Sequence, residues 1–243
     1  LLIISICWQL NAVRTIFEPE LYTYQHINNY DLNEYGNIEI ESNISIEGQK
    51  LGEKIFKTNE FIPELLKVAG VPFDFNGFIL VAGDKYSLDV LINEDGFTLN
   101  RSVYSDKILY NKLVEVRNKN YNGLSIFSQQ VEAARVHKLK RIETYASRDD
   151  DEAGNSYIGY YVWLRYGYTP QQEQRTLRNY KQKAQKNALD VNSVTSLMET
   201  QAGQQSWKAY GDGFDAEFDL ATGSYSMDTL NKYRKSKGLP KIK

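Results

Sequence analysis

The hydrophobic and polar positions in the middle third of the chain predict a strand, a helix, a second strand and a second helix in succession. The apolar run 108–116 is a strand candidate that leads into a polar loop ending in Asn122-Gly123. A helix is predicted from about Leu124 to Lys138, because apolar residues recur every three or four positions. Residues 141–147 predict the next strand, and 156–168 predict a helix that ends at its glycine. The first three elements favour a right-handed parallel crossover.

Upstream of this unit, the pattern predicts a strand, a short helix and a meander. The alternation of Ile with polar residues over 38–48 indicates a strand with one solvent-facing side. Residues 59–70 predict a short amphipathic helix, and Gly70 lies at a position typical of a helix C-cap. Three strand candidates separated by Gly-containing turns then favour an antiparallel meander, over 77–83, 85–92 and 96–104.

Downstream of the middle unit, the composition becomes polar. A polar helix is predicted over 171–190, and a short helix from Val194 to Met198. The alternation over 207–220 predicts a hairpin that turns at 211–213, and Ser226 lies at the expected start of a last helix. We expect the first two of these helices, over 171–198, to be a surface extension or an oligomer contact.

Composition and charge narrow the classes of protein. The chain has 243 residues, 42% hydrophobic and 25% charged, as is usual for a folded protein. The net charge of −2 gives no overall field to attract nucleic acid, so we expect no nucleic-acid partner. One cysteine, Cys7, and two histidines, His26 and His137, leave too little material for a disulfide or a zinc site, and we expect no metal.

The apolar opening of the chain does not predict a membrane anchor. Residues 1–10 are too few to span a bilayer, and they lack the basic start and cleavage site of a secretion signal. We expect a buried strand there, no membrane span and a cytoplasmic location. A location within a virus particle is the alternative.

The loop before the first helix of the middle unit carries the first candidate binding chemistry. Asn122-Gly123 comes directly after a strand and directly before a helix. Unpaired backbone N–H groups and the positive end of the helix dipole favour a phosphate at such a position. A lone Asn-Gly pair is also typical of a tight turn that enters a helix, and by itself it favours that interpretation.

The residues that follow add a resemblance to a known family. Asn155 stands twelve residues before Gly167, and Trp163 stands four residues before it. Together with the loop 120–125, this arrangement resembles the GNAT superfamily of acyl-CoA-dependent N-acyltransferases. In that family, the loop holds the pyrophosphate of the cofactor, and a later helix carries an Asn and a Tyr-x-x-x-Gly-Phe ending. The resemblance covers about residues 84–168.

The resemblance implies a GNAT-like α/β fold, of the α+β mixed-sheet kind, with N- and C-terminal extensions. Its core is expected over 84–169. Residues 1–83 would supply strands and a helix that join the same sheet, and 170–243 would supply helices, a hairpin and a basic tail.

The resemblance also implies that acetyl-CoA or another acyl-CoA binds at the loop, with its pyrophosphate on the backbone amides of 123–125. Two positions depart from the family pattern, because Asn120 replaces the usual Gln or Arg and Ser125 replaces a smaller residue. The cofactor-binding residues that it implies are Asn120, Asn122, Gly123, Leu124, Ser125 and Asn155.

The candidate catalytic residues are two tyrosines and two glutamates. Trp163 stands where the family typically has a tyrosine that protonates the departing thiolate, and an indole N–H lacks the acidity for that role. Tyr160 or Tyr161 would have to substitute for it, with aromatic core packing as the alternative for each. Glu115 and Glu143 are candidate general bases by their location on the two strands, and each is equally explained as a solvent-facing strand residue.

Two functions remain open at this point, and a nucleic-acid role ranks third, because the basic tail 235–243 and the basic helix 175–186 are better explained as solvated surface in a near-neutral chain. The first is transfer of an acyl group from acyl-CoA to an amine, which would make the protein an N-acyltransferase of the acetyltransferase type. The second is a catalytically inactive GNAT-fold structural or interaction protein of a viral or phage particle, with an assembly partner at 170–243. Acyl transfer requires that the strands at 108–116 and 141–147 splay apart, and that bare amides of the loop face a pocket.

Overall fold

The computed structural model describes residues 38–94, 96–117, 120–148 and 158–242, which form a mixed α/β structure around one eight-stranded sheet. The strands are β1 (Ile38–Ile44), β2 (Gly77–Gly83), β3 (Ser87–Glu94), β4 (Phe97–Tyr104), β5 (Ile108–Val116), β6 (Arg141–Ala146), β7 (Thr169–Pro170) and β8 (Phe214–Asp219). The helices are α1 (Ile46–Phe56), α2 (Ile62–Ala69), α3 (Gly123–Val136), α4 (Gly159–Tyr166), α5 (Glu173–Ala184), α6 (Val194–Met198), α7 (Gln201–Tyr210) and α8 (Tyr225–Ser236). The predicted α/β class with a mixed sheet is confirmed.

The order of strands in space is β1-β2-β3-β4-β5-β6-β8-β7. The predicted meander is confirmed, since β2 to β5 pair antiparallel with their sequence neighbours. The predicted crossover is also found, because β5 and β6 run parallel and α3 connects them. The last strand, β8, lies between β6 and β7, antiparallel to both. Residues from both ends of the described chain therefore complete one sheet.

A helix that the sequence did not predict begins where the first strand ends. The alternation over 38–48 predicts strand throughout, but β1 stops at Ile44, and the Oγ of Ser45 accepts a hydrogen bond from Gly48 N at 3.0 Å as the N-cap of α1. A side chain at Gly48 would place its Cβ 2.5 Å from Gly83 O, so glycine lets α1 approach β2 closely. The second half of the strand prediction is wrong, because a helix cap overrides the alternation.

The helices cover one face of the sheet and bury its apolar side chains. The apolar strand residues at less than 2% exposure on this face are Ile79, Val81, Leu88, Val90, Ile92, Phe97, Leu99, Val103, Leu109, Ile142, Ala146, Ala216 and Phe218. The other face is polar. Cross-strand pairing places Asp89, Ser102, Tyr110, Glu143 and Glu217 in one row across five strands of that face.

The segment after residue 170 is part of the core. Tyr180, Trp207 and Leu230 are completely buried. The hairpin predicted over 207–220 is wrong, because Trp207 lies in α7 and its Nε1 donates a hydrogen bond to Tyr160 O at 2.9 Å. Only Phe214–Asp219 is strand, and its partners are distant in sequence. The expectation of a mere surface extension is therefore wrong, whereas an assembly partner at 170–243 stays a prediction.

None of the described helices combines the length and the apolar character needed to cross a bilayer. Within the same ranges, no three His, Cys, Asp or Glu side chains come together as a metal site. The expected strand at 1–10, with Cys7, and also His26 and Asn155, lie outside the described residues.

Candidate functional site

The two parallel strands of the crossover pair over only part of their length. β5 pairs with β6 from Ile108 as far as Asn111, and then continues to Val116 while it stays paired with β4. The register between β4 and β5 shifts directly after Asn100, which leaves Lys112 as the extra residue of a β-bulge. Because a bulge bends its strand, β5 leaves β6 at this residue.

A gap opens beyond the bulge, between residues 112–116 and β6, and we call it the β5–β6 gap. No strand in the described ranges pairs with 112–116 on the side that faces β6. The backbone amides and carbonyls on that side are therefore an open strand edge. The predicted parting of the two strands is confirmed, and it leads directly into the loop before α3.

A buried polar cluster lies at the closed end of the gap. Asn111 Nδ2 donates to Gln130 Oε1 at 3.1 Å and to Tyr168 Oη at 3.0 Å, and Gln130 Nε2 donates back to Asn111 Oδ1 at 2.9 Å. The hydroxyl of Thr144 donates to Asn111 O at 2.9 Å. Asn111 is the last residue of β5 that pairs with β6. Its side chain and its carbonyl oxygen are hydrogen-bonded by side chains of Gln130, Tyr168 and Thr144.

The amides at the start of α3 are not bare. Asn122 has an extended backbone, and its Oδ1 accepts hydrogen bonds from Leu124 N at 2.9 Å and Ser125 N at 3.3 Å. This is the usual N-cap arrangement, in which a side chain replaces the missing helical acceptor. The expectation of bare amides is wrong for Leu124 and Ser125. Of the three amides predicted to hold pyrophosphate, only that of Gly123 is left uncapped by Asn122.

Tyr166 lies next to this helix start, and the sequence interpretation missed it. Its hydroxyl is 3.8 Å from the position that a Cβ at Gly123 would occupy, and its ring stacks on Phe127 at 5.5 Å with an interplanar angle of 12°. Burial, helped by the nearby Tyr233, raises the pKa of Tyr166 to about 12, so the hydroxyl keeps its proton at neutral pH. The spacing of three residues from Trp163, which puts both rings on one helix face, was the available signal.

Aromatic rings fill the space between α3 and α4. Phe127 of α3 contacts Trp163 at 5.7 Å, Tyr168 at 5.4 Å and Phe218 at 5.2 Å between ring centroids. Trp163 in turn lies 5.1 Å from Tyr168. Trp163 is therefore a half-buried residue that packs against the core at this interface.

The two candidate bases lie on the polar face of the sheet and far from each other. Glu115 pairs with the Nε of Arg117, and Glu143 Oε1 accepts from Arg141 Nε at 2.5 Å. Glu143 lies opposite Tyr110 in the cross-strand register. The partners of Tyr110 and Glu115 on β4 are four residues apart, which is about 13 Å at about 3.3 Å per residue. The structure therefore does not bring the two carboxylates together, and the role of each as a base stays a prediction.

The two candidate tyrosines face the C-terminal helices. Tyr160 is 6% exposed, and its hydroxyl donates to Lys208 O of α7 at 2.8 Å. Tyr161 is half-buried, with the guanidinium of Arg165 5.5 Å and the ammonium of Lys208 5.9 Å from its ring centroid. These contacts are those of packing residues, which was the alternative for each tyrosine. A role as the acid stays a prediction.

A surface cleft of about 500 Å³ lies away from the strand edge, between α4, the junction of α6 and α7, and α8. Its walls include Arg165, Glu199, Tyr225, Lys232 and Tyr233. Tyr233 also contacts the ring of Tyr166, at 5.6 Å between centroids, so the cleft and the start of α3 share this aromatic wall. The other predicted ligand of the loop, Asn120, lies in the turn before α3.

Comparison with known proteins adds little to this geometry. The sequence matches no protein-family model, and no curated protein matches it. The crystal structure of Tetrahymena GCN5 is similar over 74% of this chain and 88% of its own length, with 13% identity and a TM-score of 0.28. Because a TM-score this low carries no argument about function, the candidate site rests on the residues described above.

Proposed function

We propose that the protein is a GNAT-like acyltransferase that binds acetyl-CoA or another acyl-CoA at the β5–β6 gap and transfers the acyl group to an amine. The observation that carries the proposal is the open edge of β5 beyond the bulge at Lys112, which leads directly to the loop and α3. An extended ligand with amide groups pairs with such an edge as an added strand does. The pantetheine arm of coenzyme A is extended and carries two amides.

The loop residues fit the other end of such a ligand, with one adjustment. The residues proposed to hold it are Asn120, Gly123, Leu124, Ser125 and Asn155, whereas the side chain of Asn122, which the resemblance also implied as a ligand, caps two of the amides that the ligand would need. For a phosphate to reach the amides of Leu124 and Ser125, the side chain of Asn122 has to rotate away. Loss of an asparagine cap costs about 1 kcal/mol, and charge-assisted hydrogen bonds to a phosphate at a helix N-terminus offset that cost.

The bound cofactor would supply an activated acyl thioester, and this chain would supply the proton acceptor for the amine. Glu143 is the base if the amine lies near the closed end of the gap, and Glu115 is the base if it lies beyond the bulge. Both carboxylates are paired with arginine, Glu115 with Arg117 and Glu143 with Arg141. Tyr160 and Tyr161 remain the proposed acids, although the hydroxyl of Tyr160 would first have to leave Lys208 O.

Calorimetric titration with acetyl-CoA, followed by a thiol-release assay with a panel of small amines and peptides, tests this proposal. We expect saturable binding, and transfer that falls in the variants Glu115→Gln or Glu143→Gln. Arg141→Gln is a matched control, because it removes the partner of Glu143 while leaving the carboxylate. Absence of heat and of a thermal shift at millimolar acetyl-CoA would rule the proposal out.

A second candidate is a GNAT-like scaffold without transfer that serves as a structural or interaction protein, for example in a viral or phage particle. The capped amides of Leu124 and Ser125 and the aromatic filling around Trp163 favour it. In that case acetyl-CoA does not bind, and the protein assembles through a partner at 170–243. Sedimentation that finds a lone monomer, together with measurable turnover, would exclude this candidate.

A further inference from the structure

A guanidinium is buried in the interior without an acceptor. Arg101 of β4 is 1% exposed, and its Nε, Nη1 and Nη2 make no hydrogen bond within the described part of the chain. An arginine side chain carries five N–H donors and no acceptor. Because an uncompensated buried charge costs several kcal/mol, this group calls for a partner that brings negative charge.

One further hydrogen-bond donor lies near Arg101, the hydroxyl of Tyr168. The Nη1 of Arg101 lies 3.2 Å from the position that a Cβ at Gly70 would occupy, at the end of α2, which places the guanidinium between α2 and α3. Its cross-strand neighbour is Asn111, and its electrostatic neighbour is Tyr168. The hydroxyl of Tyr168 accepts a hydrogen bond from Asn111 Nδ2, and its own proton has no acceptor among the described residues. We call the Arg101 guanidinium and the Tyr168 hydroxyl the donor cluster.

Neither member of the donor cluster neutralises the charge near pH 7. Burial lowers the pKa of Arg101 to about 9, a value at which the guanidinium is still protonated at neutral pH. Burial also raises the pKa of Tyr168 well above its ordinary value, so the phenol is not an anion. A water molecule would satisfy donors but leave the charge in place. The surroundings of Arg101 therefore lack a negative charge as well as hydrogen-bond acceptors.

We propose that a small planar carboxylate, of the size of formate, acetate or bicarbonate, binds beside Arg101 and accepts hydrogen bonds from its guanidinium and from the Tyr168 hydroxyl. The planar fork of arginine matches a carboxylate with two parallel hydrogen bonds. The neighbour of Arg101 in the sheet, Asn111, is also the last residue at which β5 pairs with β6. The site therefore lies next to the closed end of the β5–β6 gap, whether or not the gap binds acyl-CoA.

Thermal unfolding of the full chain tests this site with sodium formate and sodium acetate, against sodium gluconate at equal ionic strength as a bulky carboxylate. A ligand that binds only the folded state raises the melting temperature progressively above its dissociation constant. We expect formate and acetate to raise the melting temperature of the wild type, and gluconate not to. We expect Arg101→Met to lose the response, and Tyr168→Phe to shift it to roughly tenfold higher concentration, as for one charge-assisted hydrogen bond.

A second comparison separates an anion receptor from a merely structural arginine. In gluconate, Arg101→Met should be at least as stable as the wild type, because it removes an uncompensated charge, and formate should then reverse the order. The matched control is Arg234→Met, since Arg234 is also buried but donates from Nε to Pro240 O at 2.9 Å. This control should keep the full response to formate.

The outcomes are decisive in both directions. An equal response of the wild type and Arg101→Met would mean a general salt effect, and no response of the wild type would mean that water alone solvates the guanidinium; either overturns the proposal. If Arg101→Met does not fold, ¹³C NMR of labelled formate reports on the wild type and Tyr168→Phe. A bound resonance weakened in Tyr168→Phe supports the site, and its absence from the wild type contradicts it.

Discussion

Replacing Asn122 by alanine would remove the side chain that caps α3 and leave the backbone of the loop unchanged. The Oδ1 of Asn122 accepts from Leu124 N at 2.9 Å and Ser125 N at 3.3 Å, the same amides that are proposed to hold a pyrophosphate. The cap and the ligand therefore compete for the same donors. Asn122→Ala should weaken the fold and strengthen acyl-CoA binding at the same time.

The size of both effects follows from the free energy of the cap. Loss of an asparagine N-cap costs about 1 kcal/mol, which lowers the melting temperature by roughly 2–4 °C for a chain of this length. If acetyl-CoA has to displace the cap in the wild type, the variant is spared that cost. Its binding free energy should then be more favourable by the same amount. At about 1.4 kcal/mol per tenfold, the dissociation constant should fall by up to about fivefold.

Calorimetric titration of acetyl-CoA into the wild type and Asn122→Ala measures the affinity, and thermal unfolding measures the stability. Ser45→Ala is the matched control, since Ser45 caps α1 with a 3.0 Å hydrogen bond from Gly48 N. It should lower the melting temperature by a similar amount and leave the affinity unchanged. Weaker binding by Asn122→Ala than by the wild type would refute the reasoning, because Asn122 would then hold the ligand rather than compete with it.

Three further substitutions test the packing and the charges around the site. Trp207→Ala should destabilise the fold by about 3–5 kcal/mol in chemical unfolding, because the indole is completely buried; a loss below about 1 kcal/mol would contradict the core assignment. Tyr160→Phe should cost about 1 kcal/mol of stability, for the bond to Lys208 O, and should also lower turnover steeply if Tyr160 is the acid; unchanged turnover would leave that role to Tyr161. Although burial opposes it, the hydrogen bond from His137 helps to lower the pKa of Glu64 below its ordinary 4.5. The stability due to Glu64 is therefore present above pH 4.5 and lost as the pH falls through the folded pKa. Glu64→Gln should make the free energy of unfolding less dependent on pH below 4.5, and an unchanged profile would contradict this.

Local patterns with strong boundaries were predictable from the sequence. The strand 108–116 and the helix Val194–Met198 have the bounds expected for them. The strand is an apolar run between turn residues, and the helix begins directly after a serine N-cap. Asn122 illustrates the limit of this reasoning. The simple interpretation of the Asn-Gly pair was a tight turn that enters a helix. Neither that interpretation nor the resemblance to a phosphate-binding loop showed that the side chain of Asn122 occupies the amides.

Features that depend on distant residues could not be predicted. The bulge at Lys112 arises from the pairing of β5 with β4, and nothing in the local alternation marks one residue as extra. The same bulge shifts the register by one residue, and it therefore places Glu115 on the same face of the sheet as Glu143. The buried Arg101 stands at an ordinary inward position of a strand, and only the surrounding helices remove it from water. Likewise, β8 enters the sheet between β6 and β7 through contacts that no local pattern reports.

The central claim is that the open edge of β5 binds an extended ligand. Hydrogen exchange of the amides of residues 112–116, resolved by NMR with and without saturating acetyl-CoA, tests it most directly. The account predicts that the amides facing the β5–β6 gap exchange faster without the ligand and become protected when acetyl-CoA binds. Binding of acetyl-CoA with unchanged exchange at 112–116, and protection only elsewhere, would contradict it.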